Sequence, residues 1–214
     1  MLFNIIHRIL SARAAWVIAA VSISVYVVVW LMPECAMSLA FCKDSVLLEP
    51  WRLITYTFVH LTPLHLAINV AVVLALGCML KNKLSDIQFV AIYCVGGIAG
   101  ALLYMASPVA GPLVGASAGV FALAAAAVSM SRGFASLISI IALAIVCLVT
   151  AGGHNVGGVY AHLGGILAGT LVVVAFKFRS RRRGDDIVKQ VEQSGYASLS
   201  DSQRETLFRS SGRK

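Results

Sequence analysis

Long apolar runs, separated by short polar joints or joints rich in glycine and proline, fill the first 178 residues. Six of them, 14–32, 63–80, 87–107, 114–130, 134–150 and 159–178, come close to the ~20 residues that carry a helix across a hydrocarbon layer ~30 Å thick. A backbone in lipid must satisfy its own hydrogen bonds, so each run predicts a spanning helix. Arg8 and Arg13 precede the first run as they would in a secretory leader. That run is too long for a leader's apolar core, and no clean small-x-small cleavage site follows it, which predicts a retained helix. The expected fold class is an all-α integral membrane protein, a bundle of six transmembrane helices. The expected divisions are an N-terminal segment 1–13, a membrane domain 14–178 with an outer loop at about 33–62, and a polar tail 179–214. The tail is expected to be loosely ordered, apart from a short helix capped by Ser202-x-x-Glu205 ahead of Leu207-Phe208. It is assigned no chemistry.

Composition agrees. Hydrophobic residues make up 59% of the 214, charged residues 12%, and the mean hydropathy is +0.89; a soluble domain carries about 25% charged residues. The net charge of +8 lies entirely before residue 184, where 12 Lys/Arg face 4 Asp/Glu, while the tail holds five of each. No basic segment is interleaved with aromatics, which argues against a nucleic-acid partner. The charges instead orient the helices. With six spans both termini share a side, and that side holds Arg8, Arg13, Lys81, Lys83, Arg132, Lys177, Arg179 and Arg181 to Arg183, against Lys43 and Arg52 on the other. Ten against two puts the termini in the cytoplasm. Cys78, Cys94 and Cys147 fall inside spans and act as small apolar residues. Cys35 and Cys42 fall in the outer loop, where an oxidising compartment permits a disulfide without requiring one; that pairing stays open.

Polar residues inside the spans carry the chemistry. The second, fourth and sixth spans all run inward, so their N-terminal ends share one level. The second opens "HLTPLHLAIN", with Thr62 as N-cap, Pro63 as first helical residue, and His65 and Asn69 four apart on one face. The fourth opens "GASAG" with Ser117, and the sixth opens "GGVYAHLGG" with His162. Gly158, Gly165 and Gly169 surround His162 with a stripe almost free of side chains, and Gly115 and Gly119 flank Ser117 as GxxxG, so close backbones could bring hydroxyl to imidazole. Glycine and serine in such a pattern usually mean packing alone, and Gly96-x-x-x-Gly100 reads that way. Histidine at membrane depth is costlier and points to function. The loop "ASPVAGPLV" before Ser117 is apolar and proline-bearing, so it must be covered by protein or line a wet cavity.

These residue types suit acyl transfer. His162 can take the Ser117 proton, and Asn69, His65 and the Ser117 backbone N–H can stabilise an oxyanion. No Asp or Glu lies in the last three spans, so the expectation is a serine–histidine dyad without cofactor. A metal centre built from His60, His65, His154 and His162 is the chemical competitor. It lacks a carboxylate, and its five-residue spacing and the absence of H-E-x-x-H speak against it. His154, in the glycine-rich loop "AGGHNVGG", is a rival base. A small transporter would call for charged or broken mid-helix sites, and the spans hold only Asp86, at an edge.

Three motifs in chain order, "WRLITYTFVHLTPLHLAIN" at 51–69, "GASAG" at 115–119 and "AHLGGILAG" at 161–169, make the chain resemble the rhomboid intramembrane serine proteases in their compact six-helix bacterial form. The resemblance covers nearly all of the membrane part. It implies Ser117 as nucleophile and His162 as base. Asn69, His65 and the Ser117 backbone are implied as the oxyanion site, with Gly115 and His60 in support. Trp51 and Arg52 are implied as structural residues of a membrane-dipping, mostly helical outer hairpin, and Phe121 as an aromatic able to pack on His162. The fifth helix is implied as the mobile side of a gate. The implied partners are the lipid bilayer and transmembrane-helix substrates cut near the outer surface, usually after a small residue; the implied location is a bacterial inner membrane. One departure stands out: Ala118 follows the serine where the family usually has glycine. It keeps an N–H for the oxyanion, while its methyl could narrow the pocket. The alternative is a catalytically silent rhomboid-like protein that binds transmembrane clients.

Overall fold

The structure, a computed structural model, describes residues 12–130 and 156–211. Its helices are α1 (Arg13–Leu31), α2 (Glu34–Leu39), α3 (Arg52–Thr55), α4 (Pro63–Leu80), α5 (Asp86–Met105), α6 (Ser117–Met130), α7 (Val156–Ser194) and α8 (Asp201–Ser211). Single 3₁₀ turns lie at Lys43–Ser45, Tyr56–Phe58 and Tyr196–Ser198. The expected fifth span and His154 lie outside the described residues. Contacts divide the chain into two units, 1–171 and 172–214. Four helices, α1, α4, α5 and α7, are long and apolar enough to cross a membrane, and α6 is a shorter apolar helix.

Local chemistry sets the helix starts. Thr62 accepts the His65 N–H at 3.2 Å and Pro63 fills the first turn of α4, where a missing donor costs nothing. Ser85 and Gln88 form a reciprocal capping box at α5. The fourth run was expected to be helical from 114. Its helix starts at Ser117, because Gly115 adopts φ +116°, outside helical space and suited to glycine alone.

The bundle is built around α6, in which every residue from Ser117 to Ala127 is buried. Small residues line its closest helix contacts, and several large apolar side chains face outward. Gly96 of α5 lies against Ala122 and Gly100 against Ala118; Gly164 of α7 rests on the Ala99 carbonyl of α5. Gly165 and Gly169 rest on the carbonyls of Ala118 and Ala122. On the outer faces, Trp30, Leu31, Leu64, Leu167 and Leu171 are exposed. Lipid supplies no hydrophobic drive to bury such side chains, so close backbone contact holds the helices together instead. The GxxxG of α6 does not face α7, as its spacing had suggested. Gly119 takes the Tyr93 ring of α5, and Gly115, which precedes the helix, takes the His65 ring.

The loop between α1 and α4 forms a strap. Arg52 donates to the carbonyls of Met37 and Ala40 and pairs with Glu49 at 2.8 Å. Trp51 beside it stays half exposed. Phe41 and Leu113 exchange both backbone hydrogen bonds, at 3.0 and 2.8 Å. The Lys43 ammonium donates to the Ser107 carbonyl at 2.6 Å. Cys35 and Cys42 are free thiols, which answers the open pairing.

The second unit departs from the expected loose tail. α7 runs through residue 194 because no proline and only Gly184 interrupt its polar continuation. Ser200 and Gln203, rather than Ser202 and Glu205, form the reciprocal cap of α8. The side-chain amides of Gln203 and Gln190 then pair at 2.8 Å, with Ile187 and Leu199 buried.

A methyl at Gly165 would overlap the Ala118 carbonyl, which has no rotamer to escape into. Gly165→Ala is expected to destabilise the detergent-solubilised protein by roughly 1–3 kcal/mol, as overpacking does. Gly184→Ala meets open space and is expected to be neutral or to stabilise by up to about 1 kcal/mol. Thermal unfolding of the two variants checks the contrast.

Candidate functional site

The helix starts on α6 and α7 bring Ser117, His162 and Phe121 together, and α4 sets His65 against Gly115. Ser117 opens α6, where first-turn N–H groups have no partner within the helix. Its hydroxyl lies 2.9 Å from Nε2 of His162 on α7. The imidazole stacks on Phe121, one turn further along α6, with ring centroids 4.2 Å apart and planes inclined by 22°. Both side chains of the pair are buried, His162 at 4% exposure and Ser117 at 8%. The stack on Phe121 and the hydrogen bond to Ser117 together orient the ring.

His65 and Asn69 lie on α4. A Cβ on Gly115 would sit 2.6 Å from Cε1 of His65, so the ring occupies the space this glycine leaves empty. The Asn69 amide donates one N–H to the His65 carbonyl at 2.9 Å, four residues back on its own helix. Its Oδ1 is buried without a partner among the described residues. An amide carries two N–H donors, so one remains beyond the helix bond.

His60 does not reach the serine side chain. It is fully buried, edge-on to His65 at 5.0 Å, and works on the backbone. Nδ1 lies 3.1 Å from the Phe58 carbonyl and Nε2 receives the Ala116 N–H at 3.5 Å. Donating at one nitrogen and accepting at the other requires the neutral ring. Burial pushes its pKa down to about 4, with the neighbouring His65 adding to the shift and the Phe58 carbonyl opposing it. Gly115 N–H donates to the Tyr56 carbonyl at 2.9 Å, and the Tyr104 hydroxyl donates to the Gly111 carbonyl at 2.9 Å. The loop before Ser117 is thus tied along its length to the strap and to α5. Tyr56, Tyr104 and Lys43 escaped the sequence reading. Their contacts are long-range, and only their polar tips in an apolar setting could have drawn notice.

Ala118 does not narrow the site through its methyl. That methyl packs against Gly100 of α5, inside a cluster with Tyr56, Ala101 and Tyr104. Among the described residues no group of three or more His, Cys, Asp or Glu side chains is placed to hold a metal ion.

Such a buried serine–imidazole pair at a helix start can take part in proton transfer and, with adjacent N–H donors, can hold a developing negative charge. The chain is similar to known proteins over part of its length. Rhomboid-related protein 3 of Homo sapiens is 33% identical over 92 residues, 40% of this chain and 23% of its own length. RHOMBOID-like protein 1 of Arabidopsis thaliana is 29% identical over 139 residues, 61% of this chain and 36% of its own. Rhomboid-like protease 3 of Toxoplasma gondii is 32% identical over 133 residues, 58% of this chain and 50% of its own. The chain therefore matches between a quarter and a half of the length of these relatives. A family profile described as the Rhomboid domain matches residues 48–179, which takes in the last part of the strap, α4, α5, α6 and the His162 turn of α7. The chain is a multi-pass membrane protein and belongs to the rhomboid family.

Proposed function

We propose that the chain is an intramembrane serine endopeptidase in which Ser117 is the nucleophile and His162 its base. The observation that carries this reading is the 2.9 Å approach of the two side chains, with the imidazole stacked on Phe121, in a rhomboid-family chain. Nε2 of neutral His162 accepts the hydroxyl proton as Oγ attacks the scissile carbonyl, and a tetrahedral oxyanion forms. The Ser117 backbone N–H, at the positive end of α6, lies nearest to that charge. Asn69 contributes its second N–H and His65 a ring N–H. The imidazolium then gives its proton to the leaving amine, which leaves an acyl-enzyme, and a water activated by the same imidazole hydrolyses it. His60 and Gly115 act through position, the first by holding Ala116 and the second by leaving room for His65. The substrate class proposed is transmembrane helices cut near the non-cytoplasmic face, in a bundle of six spans with cytoplasmic termini. The ten-to-two distribution of Lys and Arg supports that orientation.

Ser117→Ala is expected to reduce cleavage of a reconstituted transmembrane substrate to background, with helix content and insertion unchanged; undiminished turnover would remove the serine from the reaction. A fluorophosphonate probe is expected to label Ser117, and to fail in His162→Ala. Labelling that survives the histidine change would leave a reactive serine without this base, and no labelling in the native chain would favour a silent client-binding protein. Asn69→Ala is expected to lower kcat by roughly 10²–10³, the usual cost of one oxyanion donor, with a much smaller change in KM.

A further inference from the structure

At the end of the bundle opposite the serine, α1 and α5 begin side by side and enclose an open groove of about 460 Å³. Its wall is apolar, formed by Val17, Ile87, Val90 and Ala91, and Ile87 is 82% exposed. Its mouth carries two opposite charges, Arg13 and Asp86. Ion pairs among the described residues are Arg52–Glu49 and Arg204–Asp201, so these two charges share a groove without pairing. Asp86 opens α5, and one of its carboxylate oxygens accepts the Ala14 N–H of α1 in a long hydrogen bond of 3.4 Å. A carboxylate accepts about four hydrogen bonds, so most of its capacity stays open to the groove.

We propose that this groove is a binding site for one phospholipid whose headgroup carries a primary ammonium, a phosphoethanolamine lipid. Charge complementarity carries the assignment. The Arg13 guanidinium, a planar fork of donors, matches the phosphate. The Asp86 carboxylate matches the ammonium, and the apolar wall takes an acyl chain. A quaternary choline has no N–H to give Asp86, and a glycerol headgroup has no cation to set against it. The pair of charges therefore selects among headgroups, which a single arginine in an apolar groove would not do.

The test uses the full chain in detergent with an equal mixture of phosphatidylethanolamine, phosphatidylcholine and phosphatidylglycerol of matched acyl chains, with retained lipids counted by native mass spectrometry. Phosphatidylethanolamine is expected to be retained about tenfold over phosphatidylcholine, the effect of one charge-assisted hydrogen bond. Asp86→Asn should erase that discrimination while phospholipid still binds; Arg13→Gln should lower retention of all three; Val90→Trp should fill the groove and do the same. Circular dichroism verifies that each variant keeps its helix content. Retention of phosphatidylglycerol equal to or above phosphatidylethanolamine would overturn the proposal, as would an unchanged headgroup ratio in Asp86→Asn. Capture of the chain's own first eleven residues by a photo-crosslinker at position 90, with no lipid retained, would overturn it as well.

Discussion

Backbone-to-backbone contact between α6 and α7 is the constraint on which the site rests. Gly165 and Gly169 let one helix lie on the carbonyl oxygens of the other, and that separation puts an imidazole and a hydroxyl within a hydrogen bond. Side chains of ordinary size could not produce it, because each would add several ångströms between the helices. In a membrane this packing also serves as the main source of cohesion, since lipid is as apolar as leucine. The residues that hold the bundle together and those that align the pair are therefore the same few glycines and alanines.

A helix start alone would leave Ser117 at the end of a loose connection. Residues 107–116 are instead tied at five points: Ser107 by Lys43, Gly111 by Tyr104, Leu113 by Phe41, Gly115 by Tyr56 and Ala116 by His60. Four of those partners belong to the strap between α1 and α4. Irregular backbone at membrane depth has no water to fall back on, so its polar groups must be satisfied by protein. The strap does this while holding the serine in place.

Four of the long apolar spans, the Thr62–Pro63 start of α4 and the approach of Ser117 to His162 could be read from the chain. Hydropathy, capping chemistry and alternation of direction are local or additive signals. Which glycine faces which helix could not be read. Gly119 and Gly115 share a spacing, yet one meets Tyr93 and the other His65, because a positive φ at Gly115 takes it out of helical register. The bond between His60 and Ala116 spans 56 residues and leaves no periodic trace. The tail misled for another reason. Polarity had suggested disorder, whereas α7 needs only helix-forming residues to continue and a partner hairpin to bury Ile187 and Leu199.

From Ser117 to Met130, α6 covers 14 residues, about 21 Å at ~1.5 Å each. There the Lys83 ammonium donates to the Met130 carbonyl at 3.0 Å. The position of the Ser117 hydroxyl along the bundle is thus measured from that lysine contact, by a rod of fixed length. One residue added to that rod would lift the serine by about 1.5 Å and swing it through about 100° of azimuth, away from the imidazole. Depth and direction are set by a single count of residues, so neither can drift without the other.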